Sequence, residues 1–72
     1  MNRHIYTFWQ NVSRACAQYP EYHYGQAFFN VLHELRPDLA EKIRGTEIDP
    51  FNSHTSTEPE VAQAAQFVME NW

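Results

Sequence analysis

The fold turns on one stretch, Tyr24-Gly25-Gln26-Ala27-Phe28-Phe29-Asn30-Val31-Leu32-His33-Glu34-Leu35-Arg36-Pro37-Asp38-Leu39-Ala40-Glu41-Lys42-Ile43-Arg44-Gly45-Thr46. Tyr24, Phe28, Val31, Leu32 and Leu35 recur at helical spacing, so residues 24–35 read as a helix with Ala27 on the margin of its apolar stripe. Arg36 precedes a proline and is pushed towards extended backbone. Pro37 suits the first position of a new helix, and Asp38 complements the dipole of its first turn. Leu39 and Ile43, four apart, give a short helix over 37–44 its buried edge, and Gly45 is placed to leave it in a left-handed conformation. Phe29 does not belong to the stripe. At 100° per residue it sits about 115° from the stripe centre, beside Gln26, His33 and Arg36. Either this helix is central and packs on two sides, or Phe29 faces solvent until a partner covers it; the small size of the chain favours the first. Gly25, near the helix start, permits a sharp turn or a close backbone approach.

Upstream, Ile5, Phe8, Trp9, Val12, Cys16 and Tyr19 form one continuous stripe, which predicts a helix over 3–18. Asn2 is its expected N-cap. Thr7 to Gln10 has the form of a capping box and would start the helix later, but Ile5 extends the stripe and favours the early start. Pro20 marks the stop. Tyr19, Tyr22 and Tyr24 crowd the connector, either as a lid over one end of the core or as part of a contact surface. Downstream, residues 46–57 are a connection that Ile48 and Phe51 are expected to anchor by burial, with 52–57 its most mobile part. Thr57 and Glu60 form an expected capping box for a last helix over 58–71. Val61, Ala64, Ala65, Val68 and Trp72 are its inward stripe, widened by Phe67 and Met69.

These readings give an all-α fold: a small, compact antiparallel bundle of three longer helices (3–18, 24–35, 58–71) and one short one (37–44), in a single domain over 1–72. A chain of 72 residues buries only ~60% of its unfolded surface. Two tryptophans, four tyrosines and five phenylalanines offset this, since each ring buries roughly 150–250 Å². Cys16 alone cannot form an internal disulfide and reads as a buried inert thiol. No apolar run approaches the ~18 residues of a membrane span. A soluble cytoplasmic protein is expected, without membrane association.

The net charge of −4 is uneven. Residues 1–44 carry five bases and four acids, whereas residues 45–72 carry five acids and no lysine or arginine. That balance argues against simple nucleic-acid binding, which rests on basic clusters. His4, His23, His33, His54 and Cys16 show no metal-ligand spacing, so no metal or cofactor is expected. Ser13, Ser53 and Ser56 lack a nucleophile context, and Glu47 with Asp49 is a carboxylate pair on a solvated loop; no enzyme activity is expected. Arg36, Lys42 and Arg44 flank the short helix, with Phe29 and His33 nearby, and make the one mixed aromatic and cationic patch in the sequence. The bland account of these charges is a solvated helix end paired with Glu34, Asp38 and Glu41. The other is a binding site, to which Trp72 belongs if its ring is pendant.

Tyr24-Gly25-Gln26-Ala27-Phe28-Phe29-Asn30, Arg36-Pro37-Asp38-Leu39-Ala40 and Ile43-Arg44-Gly45-Thr46-Glu47-Ile48-Asp49-Pro50-Phe51, with Phe8-Trp9 before them and Glu70-Asn71-Trp72 at the end, resemble a family of small uncharacterised proteins from tailed phages and bacteria. The resemblance implies a cytoplasmic, phage-borne protein and brings no activity and no functional residues. The functional expectation is a non-enzymatic binding module acting through protein–protein contact, a phage accessory protein that modulates a host factor. Two other readings stand beside it: a nucleotide- or nucleic-acid-binding module using Arg36, Lys42 and Arg44, and a self-associating homo-oligomer with Phe29 and Trp72 in its interface.

Overall fold

Apolar stripes on four short helices have to be buried against one another, and the result is a small all-α bundle. The structure, a computed structural model, describes residues 4–72. Its elements are α1 (Ile5–Gln18), α2 (Tyr24–Leu35), α3 (Pro37–Ile43) and α4 (Pro59–Asn71). Helix α2 packs on both α1 and α3, and α3 packs on α4. The sequence-derived boundaries hold to within a residue or two. Helix α1 begins at Ile5, where His4 is the N-cap and its Nδ1 accepts from the Tyr6 N–H at 3.1 Å. The expected cap, Asn2, and the expected first helical residue, Arg3, lie outside the described residues.

Phe8 and Val12 of α1, Phe28 and Leu32 of α2, Leu39 and Ile43 of α3 and Val68 of α4 are the largest helical side chains of the core, all fully buried. Burying each stabilises the fold by about 1.5–3 kcal/mol relative to leaving it exposed. Phe8 is the hub of the aromatic part. Its ring stands edge-on to Phe28 at 5.1 Å and lies 5.7 Å from Trp72. Trp72 is therefore folded back against the core and is not pendant. Tyr19 and Met69 fall on the expected apolar faces yet are exposed. Tyr19 stacks on Tyr22 at 5.2 Å. Cys16 is half-buried, and partial burial pushes its thiol above the ordinary range.

The turn chemistry behaves as read. Arg36 is extended at φ −139°, Pro37 opens α3, and Gly45 leaves it at φ +73°. The opening of α4 differs. Glu58 precedes Pro59 and is held extended at ψ 146°, so Glu58 and not Thr57 is the N-cap. Thr57 turns its hydroxyl to that of Thr55 at 3.0 Å, and the capping box does not form. The Glu58 carboxylate instead reaches back to accept from the backbone N–H groups of His54 and of Thr55, the latter at 2.9 Å. These two hydrogen bonds, Thr55 first, hold its carboxyl below the usual carboxylate range.

The connection between α3 and α4 is anchored by other residues than expected. Pro50 and Ser53 are the buried ones, Ile48 is half-buried and Phe51 is exposed. The loop backbone lies on the start of α2. The Tyr24 N–H donates to the His54 carbonyl at 3.2 Å and the Gly25 N–H to the Ser53 carbonyl at 3.0 Å. Two N–H groups that lack partners at any helix start are thus satisfied by the loop. Gly25 is what permits the approach: a Cβ there would sit 1.6 Å from the Pro50 carbonyl oxygen. The run expected to be most mobile, residues 52–57, is in fact hydrogen-bonded at Ser53, His54 and Thr55. No described helix is long and apolar enough to cross a membrane.

Candidate functional site

Gln26, Phe29 and His33 share a face of α2 at i, i+3 and i+7, turned away from the core stripe. The α3–α4 connection is pinned over that face by Gly25 and by Asp49. Asp49 takes the Gly45 N–H on Oδ2 at 2.8 Å and the Phe51 N–H on Oδ1 at 3.0 Å. An open groove of about 440 Å³ results, lined by Phe29, Asn30, His33, Arg44, Asp49, Phe51 and Asn52.

The floor of the groove is Phe29, only 6% exposed. Its own chain covers it: Phe51 stands edge-on at 5.9 Å, His33 is stacked at 6.4 Å, and the Arg44 guanidinium carbon lies 5.5 Å from the ring centroid. This decides between the two expectations for Phe29. Helix α2 is central, and no partner is needed to cover the ring. Phe51 provides the groove's accessible aromatic edge, at 38% exposure. Arg44 pairs with Glu41 at 2.9 Å, and His33 Nε2 lies 3.7 Å from the same carboxylate. Asn30 and Asn52 are exposed and their side-chain amides make no hydrogen bond within the described chain. The groove thus gathers an aromatic edge, two free amides and a cation at an exposed rim.

The remaining residues of the sequence patch go elsewhere. Arg36 chelates Asp38 with two hydrogen bonds, of 3.0 and 2.9 Å, and donates a third to the Trp72 carbonyl. Its guanidinium carbon also lies 5.4 Å from the Trp72 ring centroid. The hydrogen bond from Arg36 is the main reason the Asp38 carboxyl sits below its ordinary range. Lys42 is exposed and makes no ion pair among the described residues. Arg36 and Arg44 lie at opposite ends of α3, roughly 12 Å apart by helical rise, so the structure gathers Phe29, His33 and Arg44 while Arg36 and Trp72 form a separate corner.

Sequence reasoning missed Asn30, Asp49, Phe51 and Asn52 as groove residues. Asp49-Pro50 reads as a turn, but nothing local reveals which helix the turn covers. It also missed that His23 and His54, thirty-one residues apart, meet with their Nδ1 atoms 3.1 Å from each other. No family model matches this chain, and neither a curated protein nor a solved structure is similar to it.

Proposed function

We propose that this chain is a small binding module that engages a partner protein through the groove between α2 and the α3–α4 connection. The occupant is a short acidic peptide segment with an aromatic or aliphatic side chain. Its apolar side chain lies against Phe51, its carboxylate takes Arg44 from Glu41, and its backbone amides meet Asn30 and Asn52. The observation that carries the reading is the convergence of an exposed ring, two unpartnered amides and a guanidinium on one groove. Aromatic rings and arginine are the residue types enriched where proteins meet. The resemblance to small phage and bacterial proteins adds a cytoplasmic setting and a bacterial host protein as the source of the segment. The nucleic-acid reading is weaker, since Arg36 is committed to Asp38 and Trp72 and the three cations do not form one cluster. Self-association through Phe29 and Trp72 is weaker too, since both rings pack within the chain.

A displayed library of random peptides selected on the immobilised protein tests the reading. Selection is expected to enrich segments pairing an acid with an aromatic or large aliphatic residue. Phe51→Ala and Arg44→Glu should each abolish that enrichment while leaving the helical circular dichroism unchanged. Phe29→Ala is unsuitable as a probe, because it removes core and costs about 3–5 kcal/mol of stability. No enrichment, or enrichment indifferent to both substitutions, would overturn the reading.

A further inference from the structure

We propose that His23 and His54 form a two-imidazole chelate for a divalent transition-metal ion, which staples the α3–α4 connection to the start of α2. His23 is the N-cap residue of α2, and His54 lies in the connection that covers that helix end. Their Nδ1 atoms are hydrogen-bonded to each other at 3.1 Å, one ring donating and the other accepting, with ring centroids 4.0 Å apart and planes crossed at 71°. A tetrahedral zinc ion with Zn–N bonds of 2.0–2.1 Å spans two nitrogens about 3.3 Å apart. A square-planar copper or nickel ion spans about 2.9 Å at similar bond lengths. The observed separation lies between these two bites. The ion takes the place of the shared proton, the donor ring adopts its Nε2–H tautomer, and both exposed rings turn outward, since nitrogens this far apart on one ion hold the centroids roughly 4.8 Å apart.

The chelate is held in place by backbone and not by packing of the rings. The His23 carbonyl accepts from the Ala27 N–H at 3.1 Å in the first turn of α2. The His54 carbonyl accepts from the Tyr24 N–H, and its own N–H donates to the Glu58 carboxylate. Both Cα positions are therefore fixed before any ion arrives. Glu58 adds negative charge beside the pair. Among the described residues no group of three His, Cys, Asp or Glu side chains gathers around one point. The remaining coordination positions therefore belong to water. Nitrogen ligands select zinc, nickel or copper and reject magnesium and calcium, which demand oxygen.

The test is calorimetric titration of the full chain with zinc chloride and, separately, nickel chloride, with magnesium chloride as control. One ion per chain is expected with zinc or nickel and none with magnesium. His54→Ala and His23→Gln should each weaken binding by roughly tenfold or more, since each removes one of only two protein ligands. His4→Ala should leave binding unchanged. Side-chain nitrogen NMR distinguishes the chelate from adventitious ion binding: the Nδ1 resonances of His23 and His54, and not those of His4, should shift together at one equivalent. The melting temperature should rise with metal in the parent chain and stay fixed in His54→Ala. No binding of either metal at millimolar concentration, or a His54→Ala variant that binds as tightly as the parent, would overturn the proposal.

Discussion

Arg36 and Arg44 flank the same seven-residue helix, and each holds its guanidinium about as far from an aromatic ring, 5.4 Å from Trp72 and 5.5 Å from Phe29. Their situations are otherwise opposite. Arg36 is 27% exposed in its side chain, has a two-point grip on Asp38 and binds the Trp72 carbonyl. Arg44 is 55% exposed and has one ion pair, with Glu41. The first corner closes the bundle by tying the α2–α3 junction to the end of α4. The second leaves a cation over an aromatic floor, at a rim where a partner's carboxylate can replace Glu41. The lesson is that arginine type and helix-end position do not make a binding residue; what decides is whether the guanidinium's donors are already committed.

The most forceful way to break the comparison is to remove the loop from the Arg44 side. Gly25→Ala places a Cβ where the Pro50 carbonyl oxygen sits, 1.6 Å away. Backbone cannot give way there without moving Pro50 and Ser53, both buried. Elsewhere in a helix the same substitution stabilises by roughly 0.5–1 kcal/mol. Here a loss of about 3 kcal/mol or more is expected, read as a lowered midpoint in urea denaturation. A stabilised Gly25→Ala variant would mean that the connection does not rest on α2, and with it would go the groove.

A second comparison separates the two corners directly. Arg36→Ala removes three charge-assisted hydrogen bonds and a ring contact and is expected to cost about 1–2 kcal/mol. Arg44→Ala removes one exposed ion pair and should stay within about 0.5 kcal/mol. Peptide capture should show the reverse order, lost in Arg44→Ala and retained in Arg36→Ala at temperatures where that variant is folded. Equal costs for the two substitutions would erase the distinction between a tie and a binding residue.

Much of the architecture was legible because its causes are local. The spacing of Phe28, Leu32 and Leu35, the stop at Pro37 and the left-handed exit at Gly45 each depend on a few consecutive residues. The same reading favoured burial of Phe29 without showing what buries it, since a helical wheel gives the side of a residue and not what covers that side. Only the path of the α3–α4 connection answers this, and that path is set by Gly25 against Pro50 and by Asp49 capping Gly45 and Phe51. Thr57 misled because the capping-box pattern is present while Pro59 forces Glu58 into the cap. His23 and His54 carry no spacing signal, because their meeting is a consequence of the connection folding over α2. The candidate groove was half legible: Phe29, His33 and Arg44 were visible as a patch, and its loop wall was not.

The smallest expected effect concerns acid. Arg36 holds the Asp38 carboxyl below its ordinary value of 3.8, and the Asp38 and Leu39 backbone N–H groups act in the same direction. A carboxyl with a lowered pKa in the folded state contributes stability above its unfolded value and loses it as pH falls through the lowered one. The stability difference between the parent chain and Asp38→Asn should therefore be constant from neutral pH down to about pH 4 and shrink below that. In an Arg36→Ala background the difference should be smaller at neutral pH, because only the helix-start contribution of Asp38 remains. Its decline should begin at the same pH, set by the unfolded carboxyl, and be complete at a higher one, because without Arg36 the folded value lies nearer the ordinary one. At the other end of α3, Glu41→Gln replaces one member of an exposed pair and should change stability by a few tenths of a kcal/mol at most. Urea denaturation across pH 2–7 measures all five chains: the parent, Asp38→Asn, Arg36→Ala, the double variant and Glu41→Gln. An Asp38→Asn effect indifferent to Arg36 would mean that Asp38 serves α3 alone and that Arg36 closes the bundle only through Trp72.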